Sequence, residues 1–71
     1  MFYIGNVVCI KTDKKLNITK GEIYTAYKDA LQDNHEIVID DDHSIYMHQK
    51  RFDEHFKIKN LGTIYLLAIN S

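Results

Sequence analysis

The chain contains no proline, no tryptophan and a single cysteine, Cys9. A lone cysteine cannot close an internal disulfide, and Cys9 lies in the apolar run VVCI with no base beside it in the sequence. We therefore predict a reduced, buried structural thiol and a cytoplasmic location. The three glycines, Gly5, Gly21 and Gly62, stand too far apart to cradle a phosphate, which excludes a nucleotide-binding loop.

Long hydrophobic runs are also missing, because no apolar stretch approaches the roughly 20 residues that span a bilayer. The first ten residues lack a basic segment, a long apolar core and a cleavage site, so we expect neither Sec-type export nor membrane insertion. With 71 residues, 45% of them apolar and 27% charged, the composition is that of one ordinary soluble domain. A domain of this size buries only about 60% of the surface of its unfolded chain.

Basic residues are absent from the middle of the sequence. Residues 29–48, here called the acidic band, carry six acids and no lysine or arginine, whereas residues 1–28 have a net charge of +3 and residues 49–71 of +2. Nucleic-acid-binding domains usually show a basic footprint over the whole domain, because phosphate neutralisation supplies much of their affinity. The acidic band weakens that interpretation, while the lysines near the first loop keep it open.

Alternating apolar residues predict an all-β fold with short strands. A polar loop over 13–21 carries Leu16 and Ile18 and ends at the turn glycine Gly21. We expect these two apolar side chains to fold back over the mouth of a β-barrel formed by the strands. The connection 29–35 is either one helical turn or a wide hairpin loop, and a tight bend over 41–43 is predicted from its acids. The predicted strands are 4–12, 22–28, 36–40, 44–49 and 62–69, with 56–59 as a short extension before the last one.

A short helical turn over 50–55 places Phe52 and Phe56 four residues apart on one face. Five strands, with a long first loop and a helical turn before the last strand, are the order of a small SH3-like antiparallel barrel. We therefore predict a single SH3-like β-barrel domain over residues 1–71.

Four sequence pieces between residues 7 and 53 carry a resemblance to a known family. They are VVCI, ITKGEIY, IDDD and RFD, in that order. In this order they resemble the small SH3-like β-barrel proteins of uncharacterised function that bacteriophages encode. Glu22 and the pair Asp42-His43 depart from the lysine and the glycine of that pattern. The resemblance implies a phage origin and a location in the host cytoplasm, without a settled activity.

Acids and histidines together suggest chemistry, because carboxylates and imidazoles at close range can hold a metal or form an acid–base pair. His43 and His48 are five apart, however, so in a strand they point to opposite faces. A solvated acidic turn beside surface histidines is the favoured interpretation, and a small metal-dependent hydrolase is the second alternative. The residues of this cluster are Asp40, Asp41, Asp42, His43, His48 and His55.

Tyrosines are the candidate binding aromatics, since SH3-like barrels bind ligands in aromatic-lined grooves. Tyr27 and Tyr46 are the expected exposed pair among the five tyrosines. We favour a non-enzymatic binding module, a phage accessory protein that binds and modulates a host protein, with no cofactor and no metal. The predicted partner-binding residues are Tyr27, Asp40, Asp41, Asp42, His43, Tyr46, His48, Lys50 and Arg51.

The first alternative is a nucleic-acid-binding barrel. It would use lysines of the first loop, one tyrosine and the basic pair after the fourth strand to contact phosphates and bases. The residues in question are Lys14, Lys15, Lys20, Tyr27, Lys50 and Arg51.

The predicted last strand is apolar on both faces, and a five-stranded barrel can bury only one of them. We therefore expect a homodimer with this strand at or beside the interface. The predicted interface residues are Ile64, Tyr65, Leu66 and Leu67.

Overall fold

A computed structural model describes residues 2–29 and 31–61, and it shows one antiparallel sheet with a helix before its last strand. The spatial order of the strands is β4-β3-β2-β1-β5, so β1 lies between β2 and β5. The mostly β architecture predicted from the sequence is confirmed. The elements are β1 (Phe2–Cys9), β2 (Ile23–Lys28), β3 (His35–Asp40), β4 (His43–Met47), α1 (Gln49–His55) and β5 (Phe56–Leu61).

The final strand of the described residues is β5. It begins at Phe56, directly after α1, so the segment 56–59, predicted as a short strand extension, lies in a strand. Its alternation of apolar and basic residues is the pattern of a strand. The predicted strand 62–69 and the predicted homodimer interface lie outside the described residues, and both stay predictions.

The two faces of the sheet follow from the strand register. Val7 pairs with Tyr24 on β2 and with Ile58 on β5, and Cys9 pairs with Phe56. Directly opposed residues share a face, so these side chains belong to one side, which we call the inner face. It carries the core, whose buried apolar residues are Ile4, Val7, Cys9, Ile18, Ala26, Ile37, Met47, Phe52 and Phe56.

Helix α1 covers this inner face. Phe52 is buried, and its ring stacks on that of Phe56 with 5.6 Å between centroids, as the spacing of four predicts. At the helix start the backbone N–H of Gln49 donates to Oδ1 of Asp33 at 3.0 Å, and at its end the N–H of Phe56 donates to the carbonyl of Phe52. A seven-residue helix is too short to be stable alone, so its packing on the sheet holds it.

The long loop between β1 and β2 folds onto the sheet as predicted. Ile18 is buried in the core, and Leu16 packs against it. Gly21 has φ of +93°, the left-handed conformation expected of a turn glycine, and its N–H donates to the carbonyl of Cys9 at 2.8 Å. Cys9 itself is a buried free thiol, so that prediction is confirmed, and its Sγ donates to the carbonyl of Lys11.

The connection between β2 and β3 is a wide hairpin loop. The N–H of Asp29 donates to the carbonyl of Asn34 at 3.0 Å, and residues 31–33 are bends. In the described ranges, β4 and β5 are the edge strands of an open sheet. Barrel closure therefore stays a prediction. No helix in these ranges is long and apolar enough to cross a membrane.

Candidate partner-binding surface

Four side chains form a row across the face of the sheet opposite the core, which we call the outer face. Tyr3 pairs with Tyr27, Tyr27 with Glu36, and Glu36 with Tyr46, on four neighbouring strands. Since Ala26, the neighbour of Tyr27 in β2, lies on the inner face, alternation places this row on the outer face. We call these four residues the tyrosine row.

The rings of the row differ in exposure. Tyr46 is 58% exposed, which confirms its prediction as a surface aromatic. Tyr27 is half-buried, because the ring of Tyr3 packs against it with 5.6 Å between centroids at 58°. Tyr24, on the other face of β2, packs edge-on against Phe56 and is not part of this surface. Among the described residues of this row, Tyr46 is thus the exposed ring, and Glu36 separates it from the packed pair of Tyr3 and Tyr27.

Tyr3 is the member of the row that sequence reasoning missed. The register between β1 and β2 shifts between Tyr3 and Gly5, where φ is +130°, so β1 has one extra residue there. Strict alternation back from Val7 would place Tyr3 on the inner face. A glycine inside an apolar strand is the sequence signal that could have indicated the bulge.

The acidic turn lies at the tip of the β3–β4 hairpin. Asp40, Asp41, Asp42 and His43 are all exposed, and the N–H of Asp42 donates to Oδ1 of Asp40 at 3.0 Å. The predicted bend is confirmed, although His43 already begins β4. Tyr46 follows three residues later in the same strand, which is a distance of about 10 Å at about 3.3 Å per residue. The turn and the exposed ring therefore belong to one hairpin.

The remaining predicted binding residues lie elsewhere. His48 follows the other end of β4, and its Nδ1 donates to the carbonyl of Asp33 at 2.7 Å. Lys50 and Arg51 lie on α1, which covers the inner face, and Nη2 of Arg51 lies 4.0 Å from Oδ2 of Asp13. The predicted partner-binding residues thus do not form one surface. Some lie on the β3–β4 hairpin and the outer face, whereas Lys50 and Arg51 lie on the helix that covers the inner face.

Asp13 and His55 form a polar link that sequence reasoning did not find. Nδ1 of the buried His55 lies 2.9 Å from the carbonyl of Arg51, and its Nε2 lies 3.5 Å from Oδ2 of Asp13. Oδ1 of Asp13 accepts the N–H groups of Lys15 and Leu16. This link fastens the β1–β2 loop to the end of α1. Positions so far apart in the chain carry no sequence signal of contact.

These neighbours set the charge state of Asp13. Burial acts to raise the pKa of the carboxyl group. The two backbone N–H groups of the loop and the nearby positive charges of His55 and Arg51 act in the opposite direction, and the net effect is a pKa below the ordinary value. Asp13 is therefore ionised and holds the loop in place.

His35 is a second buried histidine on the inner face. Its ring stacks on Phe52 with 4.3 Å between centroids at 14°, and among the described residues its Nδ1 has no hydrogen-bond partner. Burial lowers the pKa of His35, and the positive charge of Lys28 lowers it further, against smaller opposing effects from Asp33, a backbone hydrogen bond with Met47, and Asp53. The ring is therefore neutral at pH 7.

The acids and histidines of the predicted cluster are not brought together. Asp40, Asp41, Asp42 and His43 lie at the hairpin tip, while His48 lies beyond the far end of β4 and His55 is buried against Asp13. Within residues 2–29 and 31–61, no three or more His, Cys, Asp or Glu side chains are placed to hold a metal, and no ligand-sized cavity is present.

Comparison with known proteins adds no relative. No protein-family model, curated protein or solved structure matches this chain. The geometry of the chain's own residues is therefore the basis for assigning a function.

Proposed function

We propose that this chain is a non-enzymatic binding module with an SH3-like barrel fold, and that it binds and modulates a protein partner. The strand order β4-β3-β2-β1-β5, with a short helix before the last strand, supports the fold. The resemblance in sequence to phage-encoded barrels supports a phage accessory role, with a host protein as the partner.

The exposed ring of Tyr46 next to the acidic turn is the observation that carries the proposal. Tyrosine is enriched at the centres of protein interfaces, where it supplies a large contact area and a hydroxyl group. The acidic turn, Asp40–Asp42, adds a concentrated negative charge that would attract a basic partner and speed its association. We therefore assign the β3–β4 hairpin and the adjoining outer face as the docking surface.

The nucleic-acid alternative is less well supported by this arrangement. Lys14, Lys15 and Lys20 belong to the loop that precedes β2, whereas Tyr27 lies near the opposite end of that strand. A single-stranded nucleic acid would need cations along the same surface as the stacking ring. Here the ring is flanked by Glu36 instead.

Capture from a bacterial lysate with tagged protein identifies the partner, and association kinetics then test the surface. We expect the triple variant Asp40→Asn, Asp41→Asn, Asp42→Asn to bind the captured partner several-fold more slowly at low salt and with a smaller difference at high salt. Asparagine keeps an acceptor oxygen at residue 40, so the turn should survive.

Glu54→Gln, which removes an exposed acid from α1, is the control and should associate at the wild-type rate. Unchanged kinetics of the triple variant would remove the acidic turn from the docking surface. Binding to single-stranded nucleic acid that falls steeply with salt would instead favour the alternative.

A further inference from the structure

We propose that Tyr27, Glu36 and Tyr46 form a binding notch for the guanidinium group of an arginine in a basic partner segment. This inference rests on the proposed function and names the chemistry that the docking surface recognises.

The register gives the notch its width. Tyr27 and Tyr46 are each the direct partner of Glu36, so the two tyrosines stand two strand spacings apart, about 9–10 Å, on one face. A flat cation in contact with a ring on either side needs about 7–8 Å between the rings, from two contacts of about 3.5–4 Å. Side chains stand roughly perpendicular to a sheet, so the opening faces away from it. Glu36 lies between the two tyrosines.

Glu36 gives the notch a negative charge. Among the described residues no lysine or arginine lies within ion-pair distance of Glu36. Lys28, the nearest lysine or arginine in the sequence, pairs with His35, whose side chain is buried on the inner face. The acidic turn, on the same hairpin, strengthens the attraction for a positively charged partner.

Guanidinium fits this arrangement better than ammonium does. Its planar, weakly hydrated group stacks on aromatic faces and donates two parallel hydrogen bonds to a carboxylate, whereas ammonium is a strongly hydrated point charge. Tyr3 packs against Tyr27 and limits its motion, so one wall of the notch is already in place before binding.

Titration of isotope-labelled protein with an alternating arginine–glycine hexapeptide tests the notch, with a citrulline–glycine peptide of the same length as the neutral probe. We expect the arginine peptide to shift the amide signals of Tyr27, Glu36 and Tyr46, and the citrulline peptide to leave them in place. Tyr46→Leu and Glu36→Gln should each weaken binding of the arginine peptide by about two- to fivefold.

Asp41→Asn is the matched control, because it removes the same charge from the same hairpin outside the notch. It should weaken binding less than Glu36→Gln does. Equal losses from the two variants, equal binding of the two peptides, or no effect of Tyr46→Leu would each overturn the notch.

Failure of the notch is distinguishable from failure of the proposed function. In one outcome, the captured partner associates more slowly with the triple aspartate variant than with wild type, but at the same rate with Tyr46→Leu as with wild type. The docking surface then stands and the notch is overturned. If the arginine peptide binds the notch while the triple variant associates normally with the partner, the notch stands and the acidic turn is excluded.

Discussion

His35 and His55 are both buried on the inner face, and the structure accommodates them in opposite ways. Both ring nitrogens of His55 face oxygen atoms, from Arg51 and Asp13, whereas His35 stacks on Phe52 and leaves Nδ1 without a partner among the described residues. One histidine is held by polar contacts to a loop and a helix. The other behaves as a flat, neutral, mostly apolar ring. Burial alone therefore does not tell whether a histidine is held by hydrogen bonds or by apolar packing.

Loss of the Phe52 ring, which stacks on His35, should have the largest effect on stability. Phe52→Ala removes the ring that stacks on His35 and on Phe56, and a deletion of this size in a core costs about 3–5 kcal/mol of unfolding free energy. Urea unfolding followed by circular dichroism measures it. Lys50→Ala, an exposed change in the same helix, should stay within about 0.5 kcal/mol. A loss below about 1 kcal/mol for Phe52→Ala would show that α1 does not hold the core.

The same substitution at both histidines should separate them. His55→Leu leaves the Arg51 carbonyl and the Asp13 carboxylate without their partner and should cost about 1–3 kcal/mol. His35→Leu loses the ring stacking but also removes the unpaired nitrogen, so the two effects should nearly cancel, within about 1 kcal/mol. Parallel urea unfolding at pH 7.5 measures both. Equal losses at the two positions would mean that the unpaired nitrogen of His35 carries no cost.

The smallest expected effect is the change of unfolding free energy with pH, which should depend on His35. The pKa of His35 is lowered in the folded state, so below about pH 6.5 the unfolded chain binds a proton that the folded chain excludes, and stability falls as pH falls. The loss approaches at most about 1.4 kcal/mol per pH unit. Lys28 on β2, Asp33 in the loop and Asp53 on α1 are the charged groups around this ring.

Asp13 contributes in a lower range. Its lowered pKa means that its stabilisation is present above about pH 3.8 and is lost as pH falls below that value. For His35, the unfolding free energies of wild type and His35→Leu, nearly equal at pH 7.5, should separate as pH falls to 4.5, because only the wild type loses stability through this ring. Parallel pH dependences over this range would exclude His35, whereas Asp13→Asn should lower stability by a constant amount above about pH 3.8 and alter the pH dependence only below that value.

Local patterns predicted the parts of the fold that depend on neighbours in the chain. Alternation identified β2, β3 and β4, the acids identified the turn after Asp40, and a spacing of four identified the stacking of Phe52 on Phe56. The alternating segment 56–59, predicted as a strand extension, lies in β5. The roles of His35 and His55 depend on contacts between distant segments, which spacing does not reveal.

The candidate site shows the same division. Tyr46 and the acidic turn were predicted as surface features because both lie on one short hairpin. The pairing of Tyr27, Glu36 and Tyr46 requires the register of three strands, and the place of Tyr3 requires a bulge. The sequence pattern therefore identified candidate surface residues, whereas the strand register determines which of them lie side by side.

The bulge at Gly5 shifts the alternation of side chains between the two faces of β1. Beyond it toward the N-terminus, odd-numbered and even-numbered residues exchange faces, so Ile4 enters the core while Tyr3 joins the surface. The positive φ that permits this suits glycine above other residues. One extra residue in β1 thus decides whether Tyr3 lies on the outer face, so a single inserted or deleted residue could change the number of aromatic rings on that face without altering any tyrosine.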